Sequence, residues 1–532
     1  MIHRERLQLL NDRPAAARAR FVLYWMQAAQ RVRDNHALTY AVRRANESGL
    51  PLVVCFGLAG GFPEANRRHY AFMLQGLVEV GRALAAAGIR FVLTRRPPPR
   101  AALDLAPGAA VIVTDRGYLR VQKKWRETVA RDAPCSVIQV ETEVVVPVEA
   151  VSAKEEYAAA TLRRKLTPLL ETYLQPLAAT APDRSSLETD LELEREFVAV
   201  PERGGGQDHD PPEGLPERED GLSPDAPVAG RGHGNAGDPW IECLLSSLPI
   251  DQSVPNASTF RGGESEARKL FTAFLRDRLR NYREAHNDPA GPGASHLSPY
   301  LHFGQISPLT IALAVIKQRG VPQEEKDAFL EELIVRRELS MNFVHYRSDY
   351  DRYESLPAWA LATLSRHAGD ERPYRYHPGE LEDARTHDPY WNAAQREMVI
   401  TGKMSNYMRM YWGKKILEWS ATPREAFHTA LHLNNRYALD GRDPNSFAGV
   451  AWCFGKHDRP WGERPIFGTV RYMNAAGLRR KFDMKAYLDK INDIVKGQKM
   501  SHLGRHRKKI RRRGARILRN EAYLDVRRND EG

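Results

Sequence analysis

The sequence predicts an α/β domain built on a parallel sheet, followed by an all-α domain. Three observations carry that prediction. Residues 21–147 alternate short apolar runs with helical patterns. From about residue 259 to 495, apolar residues recur at three- and four-residue spacing, interrupted by Gly/Pro loops. Between these regions, residues 200–238 are rich in Gly, Pro and acid and poor in large apolar side chains, so they cannot bury enough surface to order themselves.

In the first region the runs FVLYWM, PLVVCFG, IRFVLT, AAVIVTD and SVIQVE read as strands, and NRRHYAFMLQGLVEVGRALAAAG reads as a helix between them. Nearly continuous apolar strands that alternate with helices need a sheet covered on both faces. No G-x-G-x-x-G follows the first strand, so a dinucleotide fingerprint is absent. The domain either holds a ligand where strand order reverses or serves as scaffold. In the second region EARKLFTAFLRDRLRNY and EKDAFLEELIVRRELSMNFVHY have helical periodicity. The predicted organisation is an α/β domain over 20–148 and an interdomain connection over 149–258, with a disordered insertion at about 192–237. A helical domain over 259–495 and a basic tail over 496–532 follow. The tail is either a solvated terminus or a nonspecific phosphate contact.

A chain of 532 residues is long enough for two to four domains. Its 79 Lys and Arg against 67 Asp and Glu give a net charge of +12. That excess suggests a polyanionic partner, nucleic acid or an anionic membrane surface, though proteins without such a partner carry it too. Cys55, Cys135, Cys243 and Cys453 are scattered, which signals neither a disulfide framework nor a metal site. No apolar run approaches the ~18 residues of a membrane span, and the N-terminus has no signal-peptide core. A cytoplasmic protein in a reducing setting is expected.

Three stretches carry chemistry. SHLSPYLHFGQIS (295–307) offers Ser295, Ser298 and backbone N–H groups at a helix start, suited either to phosphate or to ordinary capping by Ser298 before Pro299. In REMVITGKMSNYMRMYWGKKILEW (396–419), Asn406 and Arg409 share a helical face, as do Trp412 and Trp419, with Trp391 upstream. Such a stripe is either core or a chain of indoles that conducts electrons. LDGRDPNSFAGVAWCFGKHDRPWGERPIFG (439–468) carries glycines and prolines that predict a loop, with neither a long helix nor a central strand. There Asp440 and Asp443 flank Arg442, as turn-capping residues do. An exposed Trp452 near Lys456, Arg459 and Arg464 reads as a stacking platform in a basic groove.

Together with ELIVRREL, these stretches resemble class II cyclobutane pyrimidine dimer DNA photolyases, over about residues 20 to 495 excluding the insertion. The resemblance implies a Rossmann-like N-terminal domain and an all-α domain that binds a U-shaped FAD. It further implies a monomer, cytoplasmic and nucleoid-associated, that acts on ultraviolet-damaged double-stranded DNA without a metal or a membrane. Photolyases extrude their target nucleotide. Light excites the fully reduced FADH⁻, which lends an electron to the flipped dimer. A second antenna chromophore of deazaflavin or folate type is an open expectation. A cryptochrome-like photosensor, sharing the flavin pocket without repair, is the alternative; a basic DNA-binding protein with a vestigial pocket is a third.

The same resemblance implies site residues. Tyr282, Ser295, Leu297, Ser298 and Arg336 would hold the FAD phosphates and ribityl chain. Ala294 stands where relatives carry a hydroxyl, so the backbone would supply that contact. Arg409 and Asp440 would pair over the isoalloxazine with Asn406 beside them, although Ser405-Asn406 replaces a His-Gly found in relatives. Asn434 would face flavin N5, with Asn435 as its neighbouring alternative. Glu332 would hydrogen-bond the dimer, Met410 pack against it and Trp452 stack on it. Lys456, Arg459, Trp461 and Arg464 would turn towards DNA. Val450 stands where other classes place an indole; here Trp412, Trp391 and Trp419, assisted by Tyr376, would re-reduce the flavin. Trp412 would lie nearest the cofactor and Trp391 further out.

Overall fold

The computed structural model of the chain describes residues 2–16, 19–191, 197–198, 200 and 238–498. Its sheet is formed by β1 (Leu7–Leu9), β2 (Phe21–Trp25), β3 (Leu52–Gly57), β4 (Arg90–Thr94), β5 (Ala109–Asp115), β6 (Ser136–Val140) and β7 (Phe197–Val198), in the spatial order β1-β6-β5-β2-β3-β4-β7. The five central strands are parallel and coincide with the five apolar runs. Burial on both faces explains their continuous apolarity. Val22 and Tyr24 of β2 enter one core while Phe21, Leu23 and Trp25 enter the other, as the two-residue period of a strand requires. The two antiparallel edge strands β1 and β7 are too short to leave a pattern.

Strand order reverses between β2 and β5. There Asp115 Oδ1 accepts from Tyr24 Oη at 2.9 Å and Gln27 N at 2.8 Å, and Asp115 Oδ2 accepts from Ala28 N and from Ala29 N at 3.0 Å. A protein carboxylate thus takes the backbone N–H groups that an anion would use in such a crevice.

The predicted connection over 149–258 is not a free linker. Ser186 N donates to Gly88 O at 2.9 Å, and the Pro239–Ser247 helix buries Ile241, Leu244 and Leu245 in the sheet's own core. The insertion boundary also moves, because residues 197–198 pair with β4. The other residues of 192–237 except 200, and the basic tail from 499 onwards, lie outside the described residues.

Helices dominate the C-terminal half. Several start with one device, a capping side chain followed by proline at the first helical position: Ser307-Pro308, Asp388-Pro389, Thr422-Pro423 and Asp443-Pro444. The last overturns one expectation. Residues Pro444–Cys453 form a ten-residue helix that buries Phe447, Val450 and Ala451. Pro444 sits where a missing N–H costs nothing, and Gly449 is tolerated within the helix, so counting helix breakers without regard to position misjudged this segment.

The two halves are locked by buried polar contacts. Arg68, on the Arg67–Ala86 helix, donates to Tyr437 O at 2.7 Å and Pro255 O at 2.9 Å. The Glu338 carboxyl group accepts from Val145 N at 2.5 Å and Val146 N at 3.3 Å. No helix among the described residues is long and apolar enough to cross a membrane.

Candidate functional site

Ser298, His302, Arg409, Asp440, Asp443 and Ser446 line one cavity in the helical half. Arg409 comes from the Asn406–Trp419 helix and Asp440 from the turn after the Pro423–Tyr437 helix. Arg409 Nη2 donates to Asp440 Oδ1 at 2.9 Å and Oδ2 at 3.3 Å. Burial pushes the Asp440 carboxyl up, but the Arg409 and Lys403 charges and a hydrogen bond from Ser298 outweigh it and hold the group well below the usual carboxylate range. Asp440 is therefore a fixed anion. Asp443 alone plays the turn-capping part, accepting from Asn445 N at 2.8 Å; its other oxygen meets His302 Nδ1 at 3.2 Å.

Ser298 is not the helix cap. The capping position belongs to Leu297, and Ser298 Oγ accepts from Lys403 Nζ instead. Ser295 Oγ accepts weakly from Leu297 N at 3.5 Å. Between them His296 holds a left-handed φ of 60°, a conformation that tight surroundings must enforce.

Asn434 is fully buried, and its Nδ2 donates to Ser446 Oγ and to Asn435 Oδ1. Among the described residues its Oδ1 has no partner, nor has Arg409 Nε. Asn435 has no idle acceptor: its Oδ1 also accepts from Arg442 N, and its Nδ2 bonds Glu64. Of the two neighbours, Asn434 alone keeps a free acceptor. Buried polar atoms are rarely left unpaired, so these orphans fit a polar group such as FAD held against them.

Tyr282 is buried, stacked on His286 at 4.6 Å, with Phe274 and Phe329 edge-on. Glu332 and Arg336 lie on a π-helical turn, Glu331–Arg336, inside one long helical run, a distortion common at functional sites. Glu332 keeps accessible surface, yet burial raises its carboxyl pKa, offset in part by Arg336 and His286. A side chain that faces an open concavity has both properties. Arg336 Nε donates to Glu331 Oε1 at 3.2 Å, and its guanidinium lies 5.3 Å from the Trp452 ring centre.

Trp452 is half-buried on the last turn of its helix, and its buried Nε1 has no partner among the described residues. It is not the freely exposed ring expected, because Arg336 covers it. Met410 is half-buried on the Asn406–Trp419 helix, whereas Asn406 is exposed at the helix start, with no hydrogen bond to Arg409 or Asp440.

The three indoles do come together. Trp412 and Trp391 stack at 6.4 Å and 6°, Trp391 meets Trp419 at 5.7 Å, and Trp419 meets Tyr376 at 5.4 Å. All three tryptophans are also core. Asp388 sets the stack. One of its oxygens caps Tyr390 N and Trp391 N while the other accepts from Tyr411 Oη on the neighbouring helix.

The basic groove needs correction. Lys456 is buried, its Nζ bonded to Glu155 and to Ser355 O at 3.0 Å and 4.2 Å from the Phe343 ring centre. Gly455, at φ +107°, turns the chain inward there. Arg459, Trp461 and Arg464 are exposed, and Arg471, which sequence reasoning missed, lies 4.3 Å over Trp461. Lys403 was missed too, although its position in TGKMSN was legible.

Residues 22–183 match the family model described as DNA photolyase. The chain is 47% identical over 496 residues to the deoxyribodipyrimidine photo-lyase of Methanothermobacter thermautotrophicus, covering 93% of this chain and 100% of that one. It is 39% identical to the deoxyribodipyrimidine photo-lyase of Oryza sativa subsp. japonica, covering 89% and 88%. Among solved structures, an archaeal photolyase from Sulfolobus tokodaii with two FAD molecules superposes with a TM-score of 0.60 at 14% identity, covering 88% of each chain.

Proposed function

The chain belongs to the DNA photolyase family of lyases, and from that premise we propose that it repairs cyclobutane pyrimidine dimers in DNA, by the class II variant of the reaction. The observation that carries the reading is the fully buried Asn434: its Oδ1 has no partner among the described residues, and its Nδ2 donates to Ser446 Oγ, which lines the same cavity as the Arg409–Asp440 pair. A buried ion pair and an idle buried amide acceptor are each costly unless something polar completes them.

FAD is the group we assign there; fully reduced and excited by light, it supplies the electron that splits the dimer and takes it back afterwards. Ser298, bonded to Lys403, offers a polar atom to the pocket, and we assign Ser295, Leu297 and Tyr282 to the FAD phosphates and ribityl chain. The Arg409–Asp440 pair keeps a fixed charge of each sign against the ring. Asn434 offers an amide that can accept or donate as the ring's nitrogen gains or loses a proton.

The dimer's side of the pocket is Glu332, Met410 and Trp452. Burial shifts the Glu332 carboxyl towards its neutral form, the form that can donate a hydrogen bond where negative charge develops on the dimer. Trp452 stacks on the extruded bases once Arg336 yields the ring face. Arg459, Trp461 and Arg464, joined by Arg471, meet the DNA backbone. We assign 20–148 as the antenna-type domain, 149–258 as the connection and 259–495 as the catalytic domain, acting as a monomer.

The test illuminates pure, fully reduced holo-protein with an oligonucleotide that contains thymine dimers. Light-dependent loss of dimers is expected. Intact dimers with flavin bound overturn the repair reading and leave the photosensor.

A further inference from the structure

The ring sequence Trp412, Trp391, Trp419, Tyr376 ends against a histidine. Tyr376 Oη lies 2.6 Å from His387 Nδ1, and the backbone N–H of His387 donates to the same Oη at 3.0 Å. In the imidazole tautomer that carries its hydrogen on Nε2, the phenolic hydrogen has Nδ1 as its partner. The imidazole lies 5.2 Å from Trp419 and stacks on Tyr374 at 3.7 Å and 17°. Its backbone is pinned on both sides. Thr386 N and Oγ1 donate to Asn392 Oδ1 at 3.0 and 2.8 Å, and Asp388 caps the next helix.

A phenol that loses an electron becomes a far stronger acid than imidazolium. Its oxidation is therefore fast only where a base already accepts its hydrogen bond. We propose that His387 is the proton acceptor that makes Tyr376 the terminal electron donor. One electron passes from Tyr376 to the oxidised Trp419, the phenolic O–H bond breaks, and its proton forms the N–H bond at Nδ1. Neutral Trp419, a neutral tyrosyl radical and a His387 imidazolium result, so the single positive charge has moved from an indole to an imidazole. The primary one-electron oxidant is photoexcited flavin. His387 is exposed and passes the proton on to water, while an external thiol returns a hydrogen atom to Tyr376. This inference rests on the electron route through Trp412, Trp391 and Trp419 that the family resemblance implies.

The experiment is flash photolysis of the oxidised holo-protein in H2O and D2O, following the indole and tyrosyl radical signatures. In wild type, tyrosyl formation slows in D2O. In His387→Phe it slows by about 10²-fold, the lower end of what positioned proton transfer contributes, and indole radicals persist. In His387→Gly, added imidazole restores it. Wild-type kinetics and isotope effect in both variants overturn the proposal, since water then takes the proton. A slow His387→Gly variant that imidazole does not rescue overturns it as well, by reducing His387 to a structural role. Tyr376→Phe separates the two readings. If indole decay there matches wild type, the route ends before Tyr376 and both fall; if it is slowed while His387→Phe is not, only the histidine's role falls.

Discussion

Trp391 and Trp412 lie with their rings 6.4 Å apart and 6° from parallel, and Trp391 Nε1 donates to Trp412 O at 3.0 Å. Trp412 Nε1 in turn donates to Gln395 Oε1 at 2.8 Å. Both indoles are buried and hydrogen-bonded, so their separation is fixed. Phenylalanine preserves the packing but is far harder to oxidise. Trp412→Phe and Trp391→Phe are each expected to abolish light-driven reduction of the bound flavin and to spare dimer repair by chemically pre-reduced protein. Photoreduction that survives in both variants would mean that electrons travel elsewhere.

The Arg409–Asp440 pair yields a stability prediction. Its side chains are 19% and 10% exposed, and removing one partner of a buried pair costs about 3–5 kcal/mol because the other charge is stranded. Asp440→Asn is expected to lower stability by about 3 kcal/mol, the low end of that range given the partial exposure of Arg409, and to shed flavin on gel filtration. Calorimetry and the absorption spectrum read the two effects.

The five central strands were legible because a sheet buried on both faces must be continuously apolar. Edge strands of three and two residues obey no such demand. Tryptophan spacing at 412 and 419 marked a shared face, but the capping of Trp391 by Asp388, which sets the stack, is a tertiary fact. The helix at Pro444–Cys453 was misjudged because glycine and proline were weighed without their positions. Lys456 was misplaced because its charge suggested solvent, whereas the left-handed Gly455 sends it to Glu155. The orphaned Oδ1 that distinguishes Asn434 from Asn435 cannot be read without coordinates.

Glu338 gives a pH dependence. Burial pushes its carboxyl up to about 8, against hydrogen bonds from Val145 and Val146 and the charge of Arg337 that pull it down. A folded value above the unfolded one means that the native state holds its proton more tightly. The resulting stabilisation is full below the unfolded glutamate range and is lost as pH rises through about 8. In Glu338→Gln this part of the profile should flatten. Urea midpoints measured from pH 5 to 8 give the slope; identical slopes in the two proteins refute the assignment.

Trp452 presents its ring to the Arg336 guanidinium at 5.3 Å, and base–aromatic stacking contributes about 1–3 kcal/mol per base. Trp452→Ala is expected to weaken binding of dimer-containing duplex by that amount and to leave undamaged duplex nearly unaffected. Equal losses on both duplexes would make Trp452 a general DNA contact. Equilibrium titration at one fixed salt concentration decides.

Lys456 and Arg464 should behave oppositely, although both are basic residues of one segment. Lys456 is buried and bonded to Glu155, so Lys456→Met leaves that carboxylate only the longer 3.9 Å pairing with Arg347; it should lower the melting temperature and leave the salt dependence of DNA binding intact. Arg464 is exposed, 5.3 Å over the Tyr472 ring, and Arg459 likewise covers Trp461. Each phosphate contact contributes about 0.9 to the slope of log affinity against log salt. Arg459→Ala with Arg464→Ala should therefore flatten that slope by up to about 2 while the melting temperature holds. A flattened slope in Lys456→Met would mean that the lysine swings out of the core to meet DNA, against the pairing seen here.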